Sequence, residues 1–169
     1  SQEEAEENFL NMFDVSVTKH VQFKNYVAKE PVIDNRIFLN GNRLFFLEPL
    51  ESSSTQTYIE MARAVFDYYL QGKVSSVHVK EDITEYIKKL QNFVLWHYQF
   101  GSKYDTPFWN YAKSLRFIDP KFDSILKKSN ELGFGDLKMD EEKDGVPLYG
   151  QWTPYAFKLW YEGMTKREK

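Results

Sequence analysis

With 169 residues the chain is long enough for one domain with a real core. Its 22 basic and 25 acidic residues leave a net charge of −3 with no basic block, which argues against a nucleic-acid partner. The absence of cysteine excludes disulfides, thiolate catalysis and cysteine-ligated metals, and it fits a reducing cytosol.

No apolar run approaches the ~20 residues needed to span a bilayer. The N-terminus is acidic (Glu3, Glu4, Glu6, Glu7), the opposite of a signal peptide. A soluble, cytoplasmic protein is expected, without a membrane partner. The aromatic share of 17% is high and suits either a bulky core or a pocket for flat ligands.

In chain order, Glu3 to Phe13 reads as a short helix with acids in its first turn. Val15, Val17, Val21 and Phe23 then give a β-like pattern up to Tyr26, and Lys29-Glu30-Pro31 breaks it. Arg36 to Leu39, Asn40-Gly41-Asn42 and Arg43 to Phe46 read as strand, tight turn, strand, because Asn-Gly accepts positive φ. Thr55 to Gln71 is the clearest helix, with Tyr58, Ala62, Val65 and Tyr69 on one face and Gly72 as its stop. A second helix is expected from about Glu81 to Phe100, with Ile83, Ile87, Leu90, Val94 and His97 on one stripe and Gly101 behind it.

Three further helices start by one device, a cap residue followed by proline: Thr106-Pro107, Asp119-Pro120 and Thr153-Pro154. They should run over 107–116, 120–132 and 154–162, the last two ending at Gly133 and Gly163. Residues 135–150 are acidic and glycine-rich and read as an exposed loop. The fold class expected is α+β, mostly helical, with a short β-rich entrance over 13–47. Residues 1–54 and 55–169 divide it loosely, with no clear boundary, into one compact unit.

One stretch stands out chemically: Leu44-Phe45-Phe46-Leu47-Glu48-Pro49-Leu50-Glu51-Ser52-Ser53-Ser54. An apolar strand, a proline turn, a carboxylate and serines arrive together at a helix start, where free N–H groups favour anions. The plainer reading makes Ser53 or Ser54 an ordinary helix cap. His97 lies in register with a core face and reads as a hydrogen-bonded core residue. His20, His78 and His97 have no metal-ligand spacing with carboxylates, so no metal is expected.

The run Glu48-Pro49-Leu50-Glu51-Ser52-Ser53 resembles the Glu-Pro-Leu-Glu-Ser/Ala-Thr signature of flavin-dependent tryptophan halogenases. Trp96-His97-Tyr98 and Asp105-Thr106-Pro107-Phe108-Trp109 resemble that family's His-Tyr and Asp-Thr-x-Phe-Trp segments, in the same order and at similar spacing. The resemblance covers the chain from about Phe23 onward. It implies an enzyme that uses reduced FAD (FADH2), O2 and chloride or bromide to halogenate tryptophan or another indole or aromatic small molecule. A flavin reductase supplies the FADH2, and a homodimer is possible in such a family.

By the same resemblance Glu51 is the carboxylate at the halogenating centre, orienting the oxidised halogen or accepting the ring proton. Ser53 and Ser54 border the halide, although the glycine that some members carry there is absent. Gly41 and Asn42 let the flavin chain approach the backbone, a role that competes with the hairpin reading, and Pro49 and Leu50 pack on the flavin. Trp152 and Tyr149 lie in the segment resembling the indole lining, or else anchor the last helix.

The family's relay lysine, its G-x-G-x-x-G fingerprint and its Trp-x-Trp-x-Ile-Pro motif have no counterpart in these residues. The chain therefore resembles the C-terminal portion of a halogenase, and alone it is expected neither to bind FAD tightly nor to turn over. Two other functions stay open. One is a flavin monooxygenase without halide use, and the other a non-catalytic helical binding module in which the Glu-Pro-Leu-Glu turn is only a cap.

Overall fold

Each proline-led start expected from the sequence begins a helix in the computed structural model, which describes residues 2–13, 19, 24–47, 53–100, 102–132 and 152–165. Thr106 Oγ1 accepts from Trp109 N, Asp119 Oδ1 from Lys121 N and Thr153 Oγ1 from Ala156 N, each satisfying an early helical N–H that has no intrahelical partner. Among the described residues the α-helices are α1 (Gln2–Met12), α2 (Ser53–Arg63), α3 (Ser76–Phe100), α4 (Pro107–Ser114), α5 (Pro120–Leu132) and α6 (Pro154–Thr165). The strands are β1 (Tyr26–Val27), β2 (Val32–Ile33), β3 (Ile37–Phe38) and β4 (Phe45–Phe46). The α+β, mostly helical class is thus the observed one.

The β entrance is wired differently from the expectation. β3 and β4 do not pair across Asn40-Gly41; β2 pairs with β3 and β1 with β4, both antiparallel. The hairpin turn is Ile33 to Arg36, closed by Arg36 N donating to Ile33 O at 3.1 Å. Asp34 and Asn35 there have φ of 49° and 57°, as a type I′ turn requires at its two central positions. Gly41 does take positive φ (58°), but it opens a short 3₁₀ turn, Gly41–Arg43. The reason is burial: Leu44 and Phe45 go fully into the core beside β1, which turns the chain away from β3. Val15 to Val17, Val21 and Phe23 of the expected β pattern, and the 135–150 loop, lie outside the described residues.

The helix expected over 55–71 begins at Ser53 and changes pitch at Ala64, where a π-helical segment runs to Tyr69. Leu70 N donates to Val65 O, and Lys73 N to Tyr68 O, in the wide i→i+5 pattern. Tyr69 then meets the β2–β3 hairpin: its ring lies 4.7 Å from Phe38 and its hydroxyl donates to Asn35 O. Gly72 follows at φ 70°, in keeping with its role as the stop. α3 starts at Ser76 rather than near residue 81, since Ser75 Oγ accepts from His78 N and Val79 extends the buried stripe one turn back. α4 ends two residues early, at Ser114, and α6 continues through Gly163 to Thr165.

The core is built on α3. Ile83, Ile87, Leu90, Phe93, Val94 and Trp96 are buried against Met61 of α2, Phe122 and Leu126 of α5, and Phe157 of α6. Aromatic rings dominate its lower half: Trp96 stacks on Phe157 at 5.4 Å, and Phe122 lies within 5.9 Å of both. Such offset and edge contacts suit the ring quadrupoles. Asn92, fully buried on the same helix, accepts from Ile118 N at 2.7 Å and so ties α3 to the segment before α5.

Candidate functional site

The site is built at the first turn of α2, where the chain arrives from β4. Ser53 is the first helical residue and is completely buried (0% exposed), yet its hydroxyl has no hydrogen-bond partner. It does not cap the helix through its side chain. A buried hydroxyl without a partner costs free energy, so such a group marks a place where a ligand or ordered water is needed. The same turn presents main-chain N–H groups and a partial positive charge, and no acidic side chain lies in it. One turn further on, Thr57 spends its hydroxyl on Ser53 O at 2.9 Å and is not available to help.

Ser54 lies one helical turn before Tyr58, whose phenol proton affinity it lowers. Tyr58 Oη in turn faces Asn42 Oδ1 at 3.1 Å and Phe45 O at 3.2 Å, while its ring packs 5.3 Å from Phe45. Burial, and then the nearby Tyr26, push the Tyr58 phenol above its ordinary pKa, with Ser54 pulling partly back. The structure thus joins Asn42 to the helix that Ser53 and Ser54 begin, through Tyr58 one turn further on. The sequence offered Tyr58 only as part of a helical face.

The Gly41–Asn42 turn has the openness a close ligand requires. A Cβ at Gly41 would meet no atom within 4 Å, and its positive φ disfavours any other residue. The glycine-rich turn that grips a dinucleotide pyrophosphate is not in the sequence. Glu51, Pro49, Leu50 and Tyr149 lie outside the described residues.

Trp152 packs into the core built on α3. It is 5% exposed and stacks face to face on Phe93, with centroids 3.6 Å apart and planes 14° from parallel. The other two motif segments meet elsewhere. Tyr98 stacks on Trp109 at 5.9 Å and stands edge-on to Phe108 at 6.1 Å. Tyr98 and Phe108 line a cavity of ≈ 430 Å³ between α3 and α4, together with Leu47, Val94, Tyr111 and Leu115. Leu47 puts that cavity next to the Glu48–Ser52 segment in the chain.

His97 is buried, with Nδ1 2.7 Å from Phe93 O and its ring 3.9 Å from Trp160, as a core histidine would be. Among the described residues no group of three or more His, Asp or Glu side chains is arranged to hold a metal, and no helix is long and apolar enough to cross a membrane.

A family model described as tryptophan halogenase matches residues 1–155, which takes in all three motif segments. No curated protein and no solved structure matches the chain.

Proposed function

The chain belongs to the tryptophan halogenase family, and on that premise we propose that it forms the halide-side part of a flavin-dependent halogenase acting on an indole or similar flat aromatic. The observation that carries the proposal is Ser53, a fully buried hydroxyl without a partner in the first turn of a helix. A chloride or bromide there accepts from Ser53 Oγ and from the N–H groups of the turn, all aligned by the helix. Halide suits the position better than a larger oxyanion because Ser53 is closed off from solvent.

Reduced FAD, supplied by a reductase in the cytoplasm, provides with O2 the oxidising equivalents that a halide needs before it can attack a ring. Gly41 and Asn42 would border it, with Pro49 and Leu50 behind. Glu51 precedes the halide turn by two residues. Its carboxylate takes the proton that the ring carbon loses when a C–H bond becomes C–halogen, and it holds the incoming electrophile in line. The cleft beside Leu47, of a size and apolarity suited to a ring system, supports a flat substrate on this side of the turn.

The test is halide binding followed by chloride NMR line broadening. Binding should be measurable in the wild-type chain, and Ser53→Ala should weaken it about tenfold, the loss of one charge-assisted hydrogen bond. Equal broadening by Ser53→Ala, or none in the wild type, overturns the proposal. In a longer protein that carries this chain and binds FAD, product mass in bromide against halide-free buffer separates halogenation from plain oxygen insertion.

A further inference from the structure

Two of the motif segments meet at the ≈ 430 Å³ cavity between α3 and α4, and their residues have separate tasks there. Asp105, Thr106 and Pro107 start α4: Asp105 Oδ1 accepts from Asn110 Nδ2 at 2.7 Å, and Thr106 caps the helix through Trp109 N. Phe108 and Trp109 then brace Tyr98, Trp109 stacking on its ring and Phe108 standing edge-on to both. Leu115 and Ile118, which also line the cavity, are tied back to α3 at the backbone. Gln99 Nε2 donates to Leu115 O, and Asn92 Oδ1 accepts from Ile118 N at 2.7 Å. The walls are thus fixed by bonds that need no ligand, as those of a preformed site are.

The lining says what such a site would hold. Tyr98, Phe108 and Tyr111 present aromatic surface, and Phe108, Tyr111 and Ile118 are each more than half exposed, apolar area that an occupant would remove from water. Among the described residues no charged side chain lines the cavity. Apart from the two phenols its polar side chains are Asn25 and Gln91, both neutral amides with an acceptor to offer. Gln91 is half-buried on α3 whereas Asn25 is exposed, so a hydrogen bond to Gln91 competes less with water. An ionised group placed here would lose its water without gaining a counter-charge, while a flat ring with one N–H or O–H loses only what an amide can replace.

We propose that this cavity binds an uncharged aromatic of one or two fused rings, held at its ring N–H or O–H by the Gln91 amide, and that it discriminates against a free amino acid. The volume, near the low end of the about 300–1,000 Å³ of small-molecule sites, suits a ligand of that size. That the ligand is a substrate rests on the halogenase reading above. On that reading the substrate is an indole or phenol without ionised groups, and tryptophan itself is a poor one.

The test is isothermal titration calorimetry of the 169-residue chain with indole, 1-methylindole and tryptophan, beside the chloride NMR described above. Indole should bind, and tryptophan should bind at least about tenfold more weakly because its ammonium and carboxylate meet no counter-charge. 1-Methylindole, which lacks the N–H, should also lose about tenfold, and Gln91→Met, which keeps the length and removes the amide, should abolish that difference. Tyr111→Ala, at an exposed position on the wall, should weaken indole binding about three- to tenfold. Ala112→Leu fills the cavity from α4 and should abolish indole binding, with chloride binding kept as the sign that the variant is folded. Tryptophan binding as tightly as indole overturns the neutral class assigned to the ligand. Indole binding unchanged in both Tyr111→Ala and Ala112→Leu, or absent in the wild type, overturns the cavity as the site. If indole binds as expected and chloride does not, the halide reading falls and the cavity stands; the converse strikes the cavity alone.

Discussion

Replacing Trp152 by alanine tests whether this residue is a core anchor or a pocket wall. A buried tryptophan removes about 150–250 Å² from water, worth about 4–6 kcal/mol at about 25 cal/mol per Å². That figure is an upper bound because the unfolded chain already buries part of the ring. The face-to-face contact with Phe93 at 3.6 Å adds a ring–ring contribution of about 0.5–1.5 kcal/mol. Measured Trp→Ala substitutions in cores fall at about 3–5 kcal/mol, so about 4 kcal/mol is expected here. With a urea dependence of about 2 kcal/mol per molar, the unfolding midpoint should drop by about 2 M. Far-UV circular dichroism is the right probe, because the substitution itself alters tryptophan fluorescence. A midpoint that moves less than about 0.5 M would refute the core assignment. Trp152 would then have spare room around it, as a ligand-lining residue must.

Three other perturbations have defined outcomes. Asn92→Ala leaves the Ile118 N–H without its 2.7 Å acceptor and should cost about 1–3 kcal/mol by urea unfolding, with faster exchange of the Ile118 amide. Gly72→Ala and Gly163→Ala should have opposite signs in the same assay. The first forces a Cβ into φ 70° and costs about 1 kcal/mol, while the second removes a helix-interior glycine with free space around it and gains about 0.5 kcal/mol. Burial, and then Glu60, push the Tyr86 phenol up to about 12. Above pH ~10 the unfolded chain releases this proton while the folded one keeps it, so stability falls as pH rises from there through the folded value. Tyr86→Phe should make alkaline unfolding between about pH 10 and 12 less steep, and should leave neutral-pH unfolding free of this pH dependence.

The parts of the fold that were legible in the sequence are those set by local chemistry. Thr106-Pro107, Asp119-Pro120 and Thr153-Pro154 fix their helix starts within one or two residues, because the cap bond and the proline φ act without help from elsewhere. Strand pairing was not local in that sense. Asn40-Gly41 is the stronger hairpin signal on paper, but Asp34-Asn35 makes the hairpin turn, and the burial of Leu44 and Phe45 gives β4 to β1. The Asp-Asn pair between Val32-Ile33 and Ile37-Phe38 was a readable signal for it. The change of pitch at Ala64 had no such signal, since the α-periodic pattern continues to Tyr69. Only the contact of Tyr69 with Phe38 and Asn35 shows what the wider turn serves.

The candidate site divides along the same line. Ser53, Ser54, Gly41 and Asn42 were nominated by residue type and by resemblance, and those arguments treat each position alone. What ties Asn42 to the helix begun by Ser53 and Ser54 is a phenol that sequence periodicity assigns to a helix face and therefore to the core. Tyr58 does lie on that face, with its ring against Phe45, and only the last atom of the side chain turns it into a link. A tyrosine at a helix start can serve packing and polar connection at once, because its apolar body and its hydroxyl have separate partners. The same reasoning run in reverse applies to Trp152, whose aromatic character suits a pocket but which is buried with one face stacked on Phe93. Aromatic residues near a motif are thus divided between site and core by what their polar edge meets, and in this chain that edge is the hydroxyl of Tyr58.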